Sequence, residues 1–343
     1  MKPIDALPIL LFWLGLAGTG PLVTAQAQAP QGAAGRAANT GIRDLRHARL
    51  NGIVSSTSLS NINQNDARAA IKVWFDMVAQ RKGFLLDSKV DILDSAAEIR
   101  ERLQNHSVEL LIISIAEYLE LESSQLVVAA LTHGISVQGG SLYSYVLLVK
   151  PALGATTLAG LRGKNILVFS RGGSKTGTAW MDVSLGKEKL GRAASFFASV
   201  KAVDKAQACI LPLFFGTVDA CVVDDVNLSL AKEMNPQLGQ LRVLARSRPM
   251  IGSVIATPVE PSLFQNELLD TILSLHEDAR GRQLLMVFKT DRVVRIQPGD
   301  LDSARELWRD YYRLPGSSPG RPAGSGPAPG AESNPADRGK ERN

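Results

Sequence analysis

The sequence predicts an α/β protein of two lobes, each built on a mostly parallel sheet. Short apolar stretches alternate with helix-like stretches twice along the chain, as expected when parallel strands are joined by helices. Two irregular connections, Lys150–Leu158 and Arg246–Gly252, divide the chain between these two series. The chain after Gly252 is too short for a third domain and mostly helical, so we expect it to pack on the first lobe. The prediction is therefore two chain crossings with a cleft between the lobes.

The composition is that of a folded protein. The 343 residues are 45% hydrophobic and 21% charged, which is enough chain for two domains. The net charge of +5 is modest, and no run of Lys and Arg is interleaved with aromatic residues. Nucleic-acid binding is therefore not expected. A basic balance suits a protein that handles small anions.

The N-terminus has the pattern of a cleaved export signal. Lys2 gives a positive start, Ile9–Ala17 is apolar, and small residues precede position 28. We expect a signal peptide over 1–27 and a linker over 28–48, with an uncleaved anchor as the alternative. Glycines and a proline break the apolar segment, which is also too short to favour a spanning helix. An exported protein without stable membrane insertion is predicted.

The first lobe is expected to start near Arg49 and to run over 49–150. Its predicted strands are Leu50–Val54, Lys89–Leu93, Glu109–Ser114, Leu126–His133 and Ser144–Lys150. Its predicted helices are Asp66–Lys82, Ser95–Asn105 and Ile115–Glu122. The first helix has one apolar face, and Ser95 with Glu98 fits a capping box at the second. The stretch ELLIIS reads as a strand buried on both faces.

The second lobe is expected over 151–248. Its predicted strands are Ile166–Ser170, Ser195–Val203, Ala220–Asp224 and Leu241–Ala245, and its helices start at Thr178, Asp204 and Asp225. A strand, Ser253–Thr257, then begins the return to the first lobe over 249–314. Helices follow at Ser262–Glu277, Ala279–Phe288 and Leu301–Tyr312. The Pro-, Gly- and Ser-rich stretch 315–343 is predicted to be a disordered tail.

Cysteine and histidine usage gives no sign of a metal site or of catalysis. Cys209 and Cys221 have apolar flanks, which favours two free buried thiols, with a disulfide as the alternative. His133 and His276 lie far from both, so no metal-ligand spacing exists and no cofactor is expected. Four isolated histidines and no suggestive carboxylate pair leave no acid–base machinery, so an enzyme is not predicted.

The segment Ile166–Val183 has the form strand, loop, helix. Backbone N–H groups around Gly173–Gly177, the positive end of the helix dipole and the hydroxyls of Ser174 and Thr176 could hold a small anion. Neither GxxxxGK[ST] nor GxGxxG is present, so nucleotide binding lacks support. The alternative is an ordinary helix start after a tight turn.

Four stretches of the sequence resemble one family. They are VELLIISIAEYLEL, SLYSYVLLVKP, TLAGLRGKNILVFSRGGSKTG and PLFFGTVDACVVDD. Together they resemble the phosphonate-binding group of periplasmic solute receptors of ABC transporters, from about Arg49 to Leu314. The resemblance implies the type 2 periplasmic binding protein fold and a periplasmic location. It also implies capture of a small oxyanion (phosphonate, phosphite or phosphate-like) and delivery to an ABC permease.

The resemblance also implies binding residues in the second lobe. Ser174, Thr176 and Gly177 stand where the family cradles the phosphonate oxygens, next to Gly173. Lys175 replaces a small residue and either adds charge to the site or points to solvent. Asp224 or Asp225 stands where a family acid can face the ligand's amine. Either aspartate could instead be a helix N-cap.

In the first lobe, the resemblance places Tyr118 at the ligand, with packing as the alternative. The polar loop Ser55–Ser58, including Ser56 and Thr57, would complete the cleft. Tyr143 and Tyr145 are interpreted as alternating along a strand, so that one faces inward and Tyr143 is a candidate for lining the cleft.

The predicted protein is a monomer without a cofactor that binds a small anionic solute and either a permease or a membrane sensor. Two alternatives remain open from the sequence. One is a phosphatase-like or transferase enzyme on the same frame. The other is an envelope protein that binds a protein partner.

Overall fold

The structure, a computed structural model, describes residues 46–59, 62–134, 141–170, 173–262 and 265–317. The strands in chain order are β1 Arg46–Ser55, β2 Phe84–Leu93, β3 Leu110–Ser114, β4 Val127–Gly134, β5 Tyr145–Val149, β6 Asn165–Phe169, β7 Ser199–Val203, β8 Ala220–Asp224, β9 Arg242–Arg246, β10 Ser253–Pro258 and β11 Arg292–Arg295. The helices are α1 Gln64–Lys82, α2 Ala96–Gln104, α3 Ile115–Ser123, α4 Thr176–Lys187, α5 Ala193–Phe196, α6 Ala206–Phe215, α7 Asp225–Met234, α8 Gln265–Leu273, α9 Ala279–Val287 and α10 Asp302–Arg313.

These elements form two sheets, each the centre of one lobe. The six-stranded sheet of the first lobe has the order β11-β4-β10-β3-β1-β2, and the five-stranded sheet of the second lobe has the order β7-β6-β8-β5-β9. In the first lobe β1 pairs with β2 and β3 in parallel, while β10 runs antiparallel to β3 and β4. In the second lobe β6 pairs with β7 and β8 in parallel, while β5 runs antiparallel to β8 and β9.

Both sheets are therefore mixed, because the chain enters each of them directly from the other lobe. The parallel strands of a sheet all end at one edge. A strand that starts at that edge, because the chain has just crossed from the other lobe, must run antiparallel to them. The strands β5 and β10, which follow the two crossings, run against both of their neighbours, and the edge strand β11 also runs antiparallel to β4.

The first crossing lies earlier than the sequence predicts. The strand Tyr145–Val149 is formed as expected, but it pairs with β8 and β9 of the second sheet. The chain therefore changes sheets between Gly134 and Tyr145 rather than at Lys150–Leu158. That connection holds the 3₁₀ turn Pro151–Leu153 and is followed by another, Ala159–Leu161. The second crossing, between β9 and β10, falls at the predicted Arg246–Gly252.

The two crossings lie side by side. Tyr143 and Met250 form an antiparallel bridge, with N···O distances of 3.1 and 2.9 Å. The backbone N–H of Ile115, at the start of α3, donates to the carbonyl of Gly252 at 3.0 Å. A Cβ on Gly252 would approach the Tyr143 ring to 2.6 Å, so only glycine fits this position without displacing the ring.

The buried core is divided into three clusters. One lies between α1, α8 and α9 and the first sheet, and another between α6, α7 and the second sheet. The third is continuous from Ile113 in the first sheet, through Tyr143 and Met250 in the crossings, to Trp180 of α4. The lobes therefore share apolar packing at the crossings in addition to two chain connections.

The C-terminal helix α10 packs on both lobes, whereas the sequence predicts contact with the first lobe. Arg305 Nη2 contacts Glu122 Oε1 of α3 at 2.5 Å. At the other end, Lys187 of α4 pairs with Asp310 at 3.1 Å, and the Leu314 side chain packs over Gly186. Helix α10 therefore connects α3 of the first lobe with α4 of the second.

The cysteines form a disulfide, and the prediction of two free thiols is wrong. Cys209 on α6 and Cys221 on β8 are covalently linked, with a Cα–Cα distance of 5.7 Å, and both are fully buried. The apolar flanks show burial but not the distance between the two cysteines, which depends on how α6 packs over the sheet. The bond ties α6 to the strand that ends at Asp224.

A few elements differ from their predictions, and some predictions cannot be examined. The predicted strand Ser195–Val203 begins as the short helix α5, and β11 was not predicted. The signal peptide, the linker and most of the tail fall in 1–45 and 318–343, outside the described residues. In the part of the chain that the structure describes, no helix combines the length and apolar character that crossing a membrane requires.

Candidate functional site

The strand ends place one edge of each sheet at the crossings. Ser114, at the end of β3, pairs with Ser253, the first residue of β10 after the second crossing. Asp224, at the end of β8, pairs with Tyr145, the first residue of β5 after the first crossing. Helices α3 and α4 follow β3 and β6, so both begin at these edges. The carboxyl ends of parallel strands are where α/β sheets bind ligands.

In the second lobe, the loop between β6 and α4 is closed by Ser170. The Ser170 hydroxyl donates to the carbonyl of Ser174 at 2.7 Å, and the N–H of Gly173 donates to the carbonyl of Ser170 at 3.2 Å. Gly173 has φ of +82°, a conformation that glycine adopts without strain. The predicted loop therefore turns as expected, although residues 171–172 within it are not described.

Ser174 and Thr176 contact each other at the start of α4. Their hydroxyl oxygens are 2.9 Å apart, and the Thr176 N–H donates to Ser174 Oγ at 3.3 Å. Thr176 is buried, with 1% of its surface exposed, while Ser174 is half-buried. Either hydroxyl can donate in this contact. One of the two hydroxyl protons fills the contact, and the other remains available to a ligand.

The first turn of α4 is only partly capped. Lys175 is its N-cap residue and its side chain makes no capping bond, while Ser174 Oγ accepts the Thr176 N–H. Among the described residues, the N–H groups of Gly177 and Thr178 have no acceptor. Lys175 is itself exposed. A Cβ on Gly177 would lie 3.1 Å from the Tyr145 ring and 3.3 Å from the Phe169 carbonyl, so the helix start is pressed against the sheet. The open donors and a positive dipole end give this terminus the properties of an anion site.

In the first lobe, the start of α3 is already occupied by a carboxylate. Glu117 Oε2 accepts hydrogen bonds from the Ser114 N–H at 2.9 Å and the Ser114 hydroxyl at 2.7 Å. The Ser55 hydroxyl donates to Glu117 Oε1 at 2.8 Å, and the Thr57 hydroxyl donates to Oε2 at 2.9 Å. Glu117 is half-buried, whereas Ser55 and Ser114 are buried.

Sequence reasoning missed this cluster in part. It placed Ser56 and Thr57 in the cleft but did not single out Glu117 or Ser114. The signal was the S-x-x-E spacing of Ser114 and Glu117, a capping box that the structure confirms. Ser58 donates to the carbonyls of Ser55 and Ile112, at 2.7 and 3.1 Å, and so holds the loop against β3.

Tyr118 has the environment of a packing residue. Only 3% of its surface is exposed, its hydroxyl donates to Glu122 Oε1 at 2.6 Å, and it accepts from the Ala129 N–H at 3.3 Å. Burial, followed by the bond to Glu122, raises the pKa of Tyr118 to about 12. Both hydrogen-bonding roles of the hydroxyl are satisfied within the first lobe, which favours the packing alternative.

Tyr143 and Tyr145 are both buried, so the prediction that they face opposite ways is wrong. Their exposed fractions are 5% and 1%, and their rings meet edge to face at 5.5 Å. Residues two apart on an extended chain share a face, which is the physical reason. The Tyr145 ring also stacks on Trp180 of α4 at 6.2 Å. The two rings pack the chain at the first crossing against α4.

Asp224 and Asp225 are both engaged in structural contacts. Asp224 is buried and caps α7, with Asp224 Oδ1 accepting from the Asn227 N–H at 2.8 Å. Asp225 Oδ1 accepts from the Ser144 N–H at 2.9 Å, and its Oδ2 pairs with Arg246 at 2.6 Å. Asp225 thereby joins α7 to the chain at the first crossing. The N-cap alternative is confirmed for Asp224.

The sequence profile of one known family matches most of the chain. It is the family of periplasmic substrate-binding proteins of phosphonate ABC transporters, and the match covers residues 58–301. The chain belongs to this family. Members of the phosphonate-binding family are exported substrate-binding components of ABC transporters and are not enzymes. Among curated proteins, none matches the chain significantly.

Solved structures share the fold of this phosphonate-binding family member. A Xanthomonas citri protein bound to ATP superposes with a TM-score of 0.60 at 14% identity, covering 77% of this chain and 97% of that one. A binding protein of a phosphonate transporter from Pseudomonas aeruginosa gives 0.54 at 13% identity, covering 77% and 87%. A Prochlorococcus marinus protein in complex with methylphosphonate gives 0.54 at 14% identity, covering 78% and 99%. At these identities the likeness concerns the fold.

No metal centre is formed by the described residues, in which His, Cys, Asp and Glu never cluster in groups of three suited to an ion. The polar groups described at the two helix starts are hydrogen-bond donors and charges. These donors are partly open at α4 and largely satisfied by Glu117 at α3.

Proposed function

We propose that this family member captures a small phosphorus oxyanion in the cleft between its lobes and hands it to an ABC permease. The observation that carries the proposal is the partly capped N-terminus of α4, where the hydroxyls of Ser174 and Thr176 share one contact and so keep one proton for a ligand. Backbone N–H groups at such a terminus, together with the dipole, stabilise a bound oxyanion.

The roles of the loop residues follow from their burial. Ser174, which is half-buried, would contact the anion, and the buried Thr176 would orient the Ser174 hydroxyl. Exposed Lys175 would add a cation beside the anion, as lysines do in phosphate sites. Gly177 would bring its N–H close because its lack of a side chain lets α4 approach the sheet.

The binding cycle is proposed to depend on closure of the lobes. Ligand contacts that exist only in the closed form would shift the open–closed equilibrium, and only such contacts can shift it. A near-complete switch from open to closed needs about 5.5 kcal/mol of differential binding. The closed form would then be recognised by the permease in the periplasm, after cleavage of a signal peptide over residues 1–27.

The test is a thermal-shift screen followed by calorimetric titration. The panel contains phosphate, phosphite, methylphosphonate, aminoalkylphosphonates, ATP, sulfonates and neutral solutes. A ligand at about a hundred times its dissociation constant stabilises the fold by about 2.7 kcal/mol. We expect a hit among the phosphorus compounds and none among the neutral solutes.

The matched control is Ser184, a serine within α4. Ser184 donates to the carbonyl of Trp180 at 2.7 Å, one turn back in the helix. The variant S174A should lose most of the ligand response and S184A should keep it. Binding of a neutral solute alone, or equal affinities in both variants, would overturn the proposed site.

A further inference from the structure

Glu117 occupies, in the first lobe, the hydrogen bonds that a bound oxyanion would need. We propose that Glu117 sets the charge selectivity of the cleft, an inference that rests on the proposed function. It excludes fully ionised tetrahedral anions from the first lobe and favours ligands whose far end donates hydrogen bonds. The acidic end of the ligand then binds only at the start of α4.

The first step is a count of hydroxyl protons. The hydroxyls of Ser55, Thr57 and Ser114 each carry one proton, and all three oxygens lie within hydrogen-bond distance of the Glu117 carboxylate, at 2.8, 2.9 and 2.7 Å. Once these protons point to Glu117, none is left for a ligand oxygen. A cluster that looks like an oxyanion cradle is thus filled by the protein's own carboxylate.

The second step concerns the helix terminus. The Ser114 N–H and the Glu117 N–H both have side-chain acceptors, which completes the capping box at α3. The carboxylate also lies at the positive end of the α3 dipole, where a negative charge is most favourable. With the N–H groups of Ile115 and Glu117 both paired, this terminus offers a second anion fewer donors and less uncompensated positive potential than the start of α4.

The third step concerns the hydrogen-bond acceptor capacity that Glu117 has left for a ligand. Glu117 is half-buried, and from the described residues its Oε1 accepts only the Ser55 hydroxyl. A carboxylate oxygen can accept a further hydrogen bond. An ammonium or hydroxyl group at the far end of the ligand would satisfy it, whereas a dianion near Glu117 would be repelled.

The experiment compares two probes of similar size, methylphosphonate and 2-aminoethylphosphonate, by calorimetric titration of the full chain. Wild-type protein, E117Q and E117A are measured beside the control E120Q. Glu120 lies on the same helix and pairs with Arg100 at 2.8 Å, so E120Q removes an equal charge without touching the hydroxyl cluster. Melting curves check that each variant is folded.

In E117Q we expect methylphosphonate affinity to rise about tenfold and 2-aminoethylphosphonate affinity to fall about tenfold, the scale of one charge-assisted hydrogen bond. E117A should shift both in the same directions, with a larger gain for methylphosphonate because three hydroxyl protons are released. E120Q should leave the ratio of the two affinities within about twofold.

The outcomes separate the two proposals. If wild-type protein binds a probe and both Glu117 variants keep its affinity ratio, Glu117 does not set selectivity and the receptor function stands. If wild-type protein and all variants ignore every phosphorus compound, the proposed function itself fails. If E117Q is unstable, E117A decides alone, since alanine suits a helix interior and needs no cap partner.

Discussion

Helices α3 and α4 begin at equivalent edges of the two lobes, yet their N-termini are in opposite states. The start of α3 is closed by a complete capping box, with Glu117 and three hydroxyls satisfying one another. The start of α4 has Lys175 as its N-cap residue, whose side chain makes no capping bond, and among the described residues only Ser174 Oγ accepts an N–H there, that of Thr176. The same backbone geometry is satisfied by a capping box in one lobe and left more open in the other.

This difference shows that a hydroxyl-rich loop beside a helix start does not by itself make a binding site. Ser55–Ser58 and Ser170–Gly177 are both rich in hydroxyls, but only the first lies against a helix with an acidic residue at its third position, Glu117 of α3. A hydrogen-bond donor can bind a ligand only if no acceptor within the protein already takes its proton. Under the proposed function, this asymmetry would give capture of the anion to the second lobe and recognition of the ligand's far end to the first.

The strongest test of this comparison is to remove the hydroxyls of each lobe in turn. The double variant S174A/T176A should weaken anion binding by about 1–3 kcal/mol for each lost bond, because its donors face the ligand. The double variant S55A/T57A should change the anion affinity less than about threefold. Calorimetric titration with methylphosphonate measures both, and a larger loss in S55A/T57A would reverse the assignment of the lobes.

A second difference between the lobes is covalent. Among the described residues the disulfide Cys209–Cys221 lies in the second lobe and closes a loop with a sequence separation of 12. Loop entropy for this separation predicts that C209S/C221S loses about 3 kcal/mol of unfolding free energy. Urea unfolding of the variant and of the wild type, each with and without reductant, measures the effect. Reductant should change only the wild type, and an unchanged midpoint there would show that the bond does not stabilise the second lobe.

Helix α10 contacts the first lobe near its N-terminus and the second lobe near its C-terminus, so the strength of the two contacts can be compared. At the second lobe, Arg192 pairs with buried Asp182 at 3.2 Å, donates to the Pro315 carbonyl at 3.1 Å and lies over the Tyr311 ring. At the first lobe, Arg305 pairs with Glu122 in a more exposed position. We expect R192A to cost about 2 kcal/mol of unfolding free energy and R305A about 1 kcal/mol. Thermal and urea unfolding provide the measurement, and the reverse order would show that α10 is held mainly by the first lobe.

The smallest expected effect is a difference in pH dependence between the contacts at these two ends of α10. Burial favours a higher pKa for Glu122, but hydrogen bonds from Arg305 and Tyr118 outweigh burial and lower this pKa in the folded state. Burial raises the pKa of Asp182, although the Ala193 N–H and Arg192 act against it. The contribution of Glu122 is therefore present above its usual pKa and is lost as the pH falls through the lowered value. The contribution of Asp182 is present below its usual pKa and is lost as the pH rises through the raised value.

The measurement is the slope of unfolding free energy against pH between about 3 and 6. R305A should flatten the acid loss of stability relative to the wild type, and D182N should make stability rise more steeply with pH. Parallel curves for all three proteins would contradict the assigned pKa directions.

Much of the fold could be predicted from local sequence, because periodicity and capping are local. β8 and α7 were located to the residue, and Ser95 caps α2 as expected. Strand pairing is not local, which is why β5 was assigned to the wrong sheet. The four residues of β11, with arginine at both ends, form a strand only because β4 offers an edge.

The candidate site divides in the same way. The α4 loop could be found from the sequence because its glycines and hydroxyls are contiguous. The Glu117 cluster could not, because Ser55 and Glu117 are 62 positions apart and meet only when β1 pairs with β3. The burial of Tyr118 likewise depends on Ala129 and Glu122, which the family resemblance does not reveal.

Helix α10 packs more extensively on α4 than on α3, so in the proposed closure it should move with the second lobe. Two neighbouring crossings alone would form a hinge free to bend and to twist. Helix α10 connects the lobes at a third place, away from the axis through the two crossings. This connection would restrict the motion of the lobes to one direction and shorten its range. Such a guided motion leaves fewer open orientations to be lost on closure, so a small ligand can close the protein with a modest number of contacts.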